Sequence, residues 1–379
     1  MSFNFNIPIN SRNTNSAKWD RYAKDILPMH VAVMDFAISP AITERIQNRL
    51  SHPVYGYTMP SKQLYDTLLQ WVETEFHYKI FADWLVLLEG IVPALGVSAT
   101  ILPGDVITTT PNYHALLHAP LRAGKNVIQV PLKNDNEHYS FDFDALEEAI
   151  TPNTKFFYLC NPHNPVGRMY TKEELLEVSA FAKKHDLIVV SDEIHCELAF
   201  DRVHIPFYTV DEYAKNHSIT FTAIGKTYNM PGVNFAFAVI PNPDIKKLFQ
   251  EKSYALSRPG IFNQEAAIGA YAYSLQWKHE LLVYLRENRD YLENELKTKF
   301  PLAKFPHVEG TYLQWVNFNA YHPNANSSFF EKEAKIAFTN GANFGDENYI
   351  RINFACTRDT LEEAVTRLEH VLLPNKLAV

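Results

Sequence analysis

Short apolar runs recur through the middle of the chain without regular polar alternation: Leu85–Leu88, Val106–Thr110, Val127–Val130, Phe156–Cys160, Leu187–Ser191, Ile219–Ala223 and Phe235–Ile240. A strand with one wet face alternates apolar and polar residues, whereas a strand covered on both faces does not. The runs therefore predict a mainly parallel, seven-stranded sheet lying under helices. Helical periodicity fills several of the gaps. Its clearest instance opens at Thr171 with Glu174 three residues later, the reciprocal pattern that satisfies N–H groups at a helix start. Leu175, Val178 and Ala182 then fall on one face. Alternating strand and helix of this kind predicts an α/β fold.

After about Tyr271 the texture changes. A long helical pattern carries Leu281, Leu285, Leu292 and Leu296 and is closed by Pro301. Strand-like segments follow at Thr311–Phe318 and Tyr349–Phe354, then a final helix near Leu361–Leu372. This reads as a smaller α+β domain. The expected division is 1–40 as an N-terminal segment joining the small domain, 41–275 as the large domain and 276–379 as the small one. The stretch from His322 to Ser328 reads as a surface loop.

At 379 residues the chain is longer than one compact core usually serves, which agrees with two domains. A net charge of −8 speaks against a nucleic-acid or anionic-membrane partner. Cys160, Cys196 and Cys356 form neither a disulfide framework nor a metal-ligand spacing, so no metal is expected. The longest apolar stretch, Trp84 to Leu102, is broken by Glu89, Gly90, Pro93 and Gly96, and reads as strand then helix rather than a membrane span. The segment from Met1 to Lys18 is polar and lacks the apolar stretch of a signal peptide; a cytoplasmic setting is expected. Dinucleotide, P-loop and His-Glu-x-x-His motifs are missing, and His114, His118 and His185 read as surface or packed residues.

Three segments carry candidate chemistry. In Ile224-Gly225-Lys226-Thr227-Tyr228-Asn229, a lysine directly follows a buried strand. Burial can strip its proton and make it a nucleophile, although a turn lysine is the plainer reading. In Ser191-Asp192-Glu193-Ile194-His195, a carboxylate ends another apolar strand and needs a partner. A protonated pyridine nitrogen would serve; a helix cap or metal ligand is the alternative. In Cys160-Asn161-Pro162-His163-Asn164-Pro165-Val166-Gly167-Arg168, two Asn-Pro pairs restrict a loop after a strand and display asparagine side chains rigidly.

These three segments, running along the chain as the Asn-Pro loop, the Ser-Asp-Glu strand end and then the lysine, resemble fold-type I pyridoxal-phosphate (PLP) enzymes, the aminotransferase class I/II superfamily. More narrowly, the chain resembles the MalY/PatB group of carbon–sulfur β-lyases, which includes cystalysin-like enzymes. Supporting runs are Lys18-Trp19-Asp20, Met34-Asp35-Phe36, Val54-Tyr55-Gly56-Tyr57-Thr58, Gly90-Ile91-Val92-Pro93-Ala94-Leu95, Thr311-Tyr312-Leu313 and Arg351-Ile352-Asn353. The resemblance implies Lys226 as the Schiff-base lysine and base at Cα, with Asp192 pairing the pyridinium nitrogen. Asn164 and His195 would lie at the ring hydroxyl oxygen and Tyr113 on the ring face. Ile91 and Val92 would offer N–H groups to the phosphate, Tyr57 would reach the phosphate of a neighbouring subunit, and Arg351 would clamp the substrate carboxylate. Core packing is the plainer reading for Tyr57 and Tyr113, and a structural ion pair for Arg351. A homodimer with shared active sites follows from the role of Tyr57, and Asn164 and Tyr57 would also border the substrate.

Some positions depart from the group's pattern. His30 and Val33 stand where Trp and Asp are usual, and Gly225 precedes the lysine where serine is usual. Ala223 offers no hydroxyl either, so phosphate binding is expected to lean on Thr222 or Thr227. The resemblance implies β-elimination from cystathionine, cystine or cysteine, giving pyruvate, ammonia and a thiol. An aminotransferase is the second reading and a PLP-binding regulatory protein the third.

Overall fold

The computed structural model describes residues 2–373. Its centre is a seven-stranded sheet built from β1 (Leu85–Leu88), β2 (Asp105–Thr110), β3 (Val127–Pro131), β4 (Thr154–Cys160), β5 (Ile188–Asp192), β6 (Ser218–Ala223) and β7 (Ala236–Val239). The order across the sheet is β1-β7-β6-β5-β4-β2-β3. Only β7 runs against its neighbours; the other pairings are parallel. All seven expected strands are present, with ends shifted by no more than two residues.

The missing polar alternation has its cause in the two covered faces. Phe156 and Tyr158 of β4 and Ile188 and Val190 of β5 enter one apolar cluster, whereas Phe157, Leu159 and Val189 enter another on the opposite face. Successive side chains of a strand point to opposite faces, so both sets are apolar. Helices Ile91–Ser98 and His114–Arg122 cover the first face, through Leu95 and Leu116 among others. Helix Lys172–Lys184 covers the second through Leu175 and Val178. The Thr171/Glu174 capping box at its start is formed in both directions.

Beyond the long helix Leu275–Lys299, a three-stranded antiparallel sheet is formed by β8 (Leu313–Val316), β9 (Thr339–Asn340) and β10 (Ile350–Asn353), in the order β8-β10-β9. Helix Arg358–Leu372 follows. The N-terminal segment joins this part: Leu27–Pro28 pairs in parallel with Ile336–Ala337. Among the described residues no helix is long and apolar enough to cross a membrane.

Candidate active site

The C-terminal ends of five parallel strands open onto one cavity of about 340 Å³. This edge is where open α/β sheets receive ligands. Strand β1 delivers Gly90–Val92, β2 delivers Tyr113, β4 the loop with Asn164, β5 Asp192 and β6 Lys226. Because β7 is reversed, its N-terminal end reaches the same edge and adds Asn234 and Phe235. Two groups arrive from outside the sheet: Arg351 from β10 and Ala32 from the extended segment His30–Phe36.

The loop after β4 is held in place by its own backbone. Asn161 N–H donates to Asp192 C=O at 3.0 Å, and His163 N–H to Arg168 C=O at 2.7 Å. Gly167 has φ +73°, and a Cβ there would meet Val308 at 3.1 Å, so the turn that aims Asn164 excludes larger residues. Both Asn-Pro peptides are cis.

Lys226 Nζ donates to Ala32 C=O at 2.9 Å. Burial lowers its pKa to about 8, helped by the Arg351 guanidinium and opposed by the Asp192 carboxylate. The plainer reading of a solvated turn lysine is thereby set aside. Asp192 is buried, and its side chain accepts one hydrogen bond, from Ile194 N–H at 3.2 Å. Burial raises its pKa to about 6, and among the described residues no cation forms an ion pair with it. A buried carboxylate in that condition lacks the partner it requires.

Arg351 is also buried, and no acid pairs with it among the described residues. Its Nη1 donates to Asn164 Oδ1 at 2.8 Å and its Nη2 to His30 C=O at 3.1 Å, while its Nε has no partner. Burial lowers its pKa to about 10. The structural ion pair considered for this arginine is not formed. Since Asn164 Oδ1 is engaged by Arg351, the asparagine's amide N–H groups are what remain for a ligand. His195 is buried with Nδ1 unpartnered, and burial drives its pKa well below the usual histidine range, which keeps the ring neutral. Tyr113 lines the cavity, its phenol pushed up to about 12 by burial and then by Asp192.

Helix Ile91–Ser98 begins at Gly90, whose φ is +97°, with no side chain capping the first turn. The free N–H groups of Ile91 and Val92 therefore lie at the cavity, a geometry suited to an anion. Thr222 is a correction. Alternation along β6 sends it to the opposite face from Ala223, where its Oγ1 lies 3.4 Å from Cys196 Sγ. Thr227 is buried and does not line the cavity either. Tyr57 stays outside its own chain's cavity and is fully exposed, so the core-packing reading fails for it.

The geometry agrees with a family profile over most of the chain: that of aminotransferase class I and II matches residues 24–368. The chain belongs to this family. Among its relatives, cystathionine beta-lyase PatB of Bacillus subtilis is 32% identical over 378 residues, covering 95% of this chain and 97% of the relative. A solved structure of OvoB superposes with a TM-score of 0.94 at 33% identity, covering 98% and 99% of the two chains. Cystalysin from Treponema denticola, solved with pyridoxal 5'-phosphate, gives a TM-score of 0.93 at 31% identity, with the same coverage.

Sequence reasoning missed several groups at the cavity and behind it. The Ala32 carbonyl accepts from both Lys226 Nζ and Tyr312 Oη, each at 2.9 Å. Asn353 Nδ2 holds the carbonyls of Val31 and Val33 at 2.7 and 2.8 Å, fixing the segment that carries Ala32. Backbone acceptors leave no trace in residue identity. His114, read as surface or packed, lines the cavity; its signal was its position directly after Tyr113.

Proposed function

We propose that the chain is a PLP-dependent carbon–sulfur β-lyase converting cystathionine- or cysteine-type amino acids to pyruvate, ammonia and a thiol. The observation that carries this reading is the convergence, in one cavity, of Lys226 with a pKa of about 8 and of Asp192 and Arg351, neither of which forms an ion pair among the described residues. Each lacks a partner that the cofactor or an amino acid would supply. Asp192 fits a protonated pyridine nitrogen, the uncapped helix start at Ile91 and Val92 fits a phosphate, and Tyr113 fits stacking on the ring. The amide of Asn164 and the neutral ring of His195 fit the ring hydroxyl oxygen. Bound there, PLP supplies an electron sink in conjugation with the substrate's Cα.

The chain's own groups would do the rest. Arg351 holds the substrate carboxylate through paired N–H donors, a task for a planar guanidinium. Lys226 would remove the Cα proton, and its lowered pKa suits it to that work near neutrality. Asp192 keeps the pyridine nitrogen protonated. A thiolate then leaves from Cβ, and the three-carbon remainder hydrolyses to pyruvate and ammonia.

Full-length similarity to a protein named cystathionine beta-lyase favours elimination. The family's description favours transamination as the second reading, since the same proton removal begins both reactions. A purely regulatory role fits less well, because retaining a cofactor needs no carboxylate clamp. The test is product analysis on a panel of sulfur amino acids with and without a keto acid. Pyruvate and thiol in the absence of any keto acid support the lyase; turnover only in its presence supports the aminotransferase.

The reading also assigns residues 41–275 to the cofactor domain, and 1–40 with 276–379 to the smaller one; residues 1 and 374–379 lie outside the described residues. It makes the protein a homodimer in which Tyr57 serves the partner's phosphate. In support, Tyr57 is exposed beside Met59 at 86% and Val54 at 62%, an apolar stretch of the kind that subunit contacts cover. The proposed setting is cytoplasmic, where the three unpaired, buried cysteines remain thiols. Neither nucleic acid nor membrane is proposed as a partner.

A further inference from the structure

We propose that His114 is a specificity residue: its imidazole meets the sulfur-borne arm of the substrate and favours arms that end in a carboxylate. This rests on the lyase reading and deepens it. The cavity's other polar side chains fall into two groups by position. Tyr113, Cys160, Asn164, Asp192, His195 and Lys226 surround the place of the ring, with Arg351 reaching in from β10. Glu89 and Asn234 flank the helix start at Gly90: Glu89 is its neighbour in sequence, and Asn234 Oδ1 lies 3.8 Å from where a Cβ on Gly90 would sit. His114 follows β2 as Asn164 follows β4, but the lyase reading gives it no part in holding the ring, the phosphate or the substrate carboxylate. It opens the helix His114–Arg122, and its ring meets Tyr113 edge-on at 4.5 Å without hydrogen-bonding another described side chain.

An amino acid in this cavity would have two of its Cα substituents assigned. Its amine would lie toward Lys226, and its carboxylate would go to Arg351. The third substituent, Cβ with its sulfur, would need a wall that those roles leave free. His114 is the titratable side chain left to receive it. The charged and titratable groups that act on it most are Arg351, His118, Arg122 and Lys226; the carboxylates lining the same cavity are Glu89 and Asp192. Burial and then the first four lower its pKa, so the ring stays neutral and offers an N–H donor in a field that they make positive. A carboxylate accepts from such a donor and gains from the field; an alkyl arm does neither.

The test compares S-carboxyethyl-cysteine with S-propyl-cysteine, arms of similar length that differ in the terminal carboxylate. Pyruvate release gives kcat/KM for each with the holoenzyme and with His114→Phe. The ratio, acid over alkyl, is expected to fall by about tenfold in the variant, the scale of one hydrogen bond to a charged group. His114→Gln, which keeps an N–H donor, is expected to hold the ratio within about threefold of the parent. An unchanged ratio in His114→Phe, or equal ratios in the two variants, overturns the assignment while leaving the lyase standing. If the parent releases pyruvate from cystathionine but from neither compound, this assignment fails and the lyase stands; if it releases none from cystathionine either, the lyase reading fails and takes this assignment with it.

Discussion

Two neighbours pull the proton of Lys226 in opposite directions. Burial and the Arg351 charge push its pKa down, Asp192 pushes it up, and the result is about 8. Attack on the cofactor aldehyde needs the neutral amine, whose fraction grows as pH rises through the pKa. Cofactor-free protein mixed with PLP should therefore turn yellow faster as pH rises, with a midpoint at about 8 and a plateau above it; a rate still climbing towards the ordinary lysine pKa of about 10.4 contradicts the shift. Removing the positive charge in Arg351→Met should raise the lysine's pKa and move the midpoint to higher pH. Arg351→Lys asks a different question. It keeps the charge but loses the planar fork, so KM for the amino acid should rise by about tenfold or more with cofactor retention little changed. Equal losses of both would take Arg351 out of the carboxylate role. Most of these residues were legible in the sequence because motifs at strand ends carried them. Thr222 was misplaced because only strand register, one residue either way, decides which face a hydroxyl points to. The Ala32 carbonyl was invisible because a backbone acceptor has no residue signature.

At the scale of elements, the apolar runs located all seven strands because burial on both faces leaves so plain a pattern. Strand ends slipped by a residue or two where the last pairs lie beside loops, as at Asp105 and Asp192, since polar residues there still join the ladder. The reversal of β7 left no mark, because an antiparallel strand covered on both faces reads like a parallel one. The helix after Thr171 was read correctly down to its cap, and it lies away from the cavity. Thr171→Ala should thus cost about 1 kcal/mol in a urea melt, the usual value of a lost N-cap, with kcat/KM unchanged. A comparable fall in turnover would mean that this helix also positions the loop after β4. Gly90 gives the opposite case. At φ +97° any side chain strains the turn that presents Ile91 and Val92, so Gly90→Ala should weaken PLP retention more than it lowers stability.

For the whole molecule, the fold brings three separated parts of the chain to one cavity: the sheet edge, the strand carrying Arg351 and the segment carrying Ala32. In the proposed homodimer the exposed Tyr57 adds a fourth part from a second copy. Mixing the inactive Lys226→Ala protein with a Tyr57→Ala protein of poor cofactor retention should then restore activity on subunit exchange, since each hybrid holds one complete site. Failure to restore it in an exchanging dimer would remove Tyr57 from the partner's site. Beneath all of this lies the claim that one amine, that of Lys226, carries the cofactor. The direct measurement is borohydride reduction of the yellow protein followed by peptide mapping. The phosphopyridoxyl mass is expected on the peptide containing Lys226, at close to one per chain. Labelling of an exposed lysine such as Lys62, with the Lys226 peptide unmodified in active protein, would contradict it.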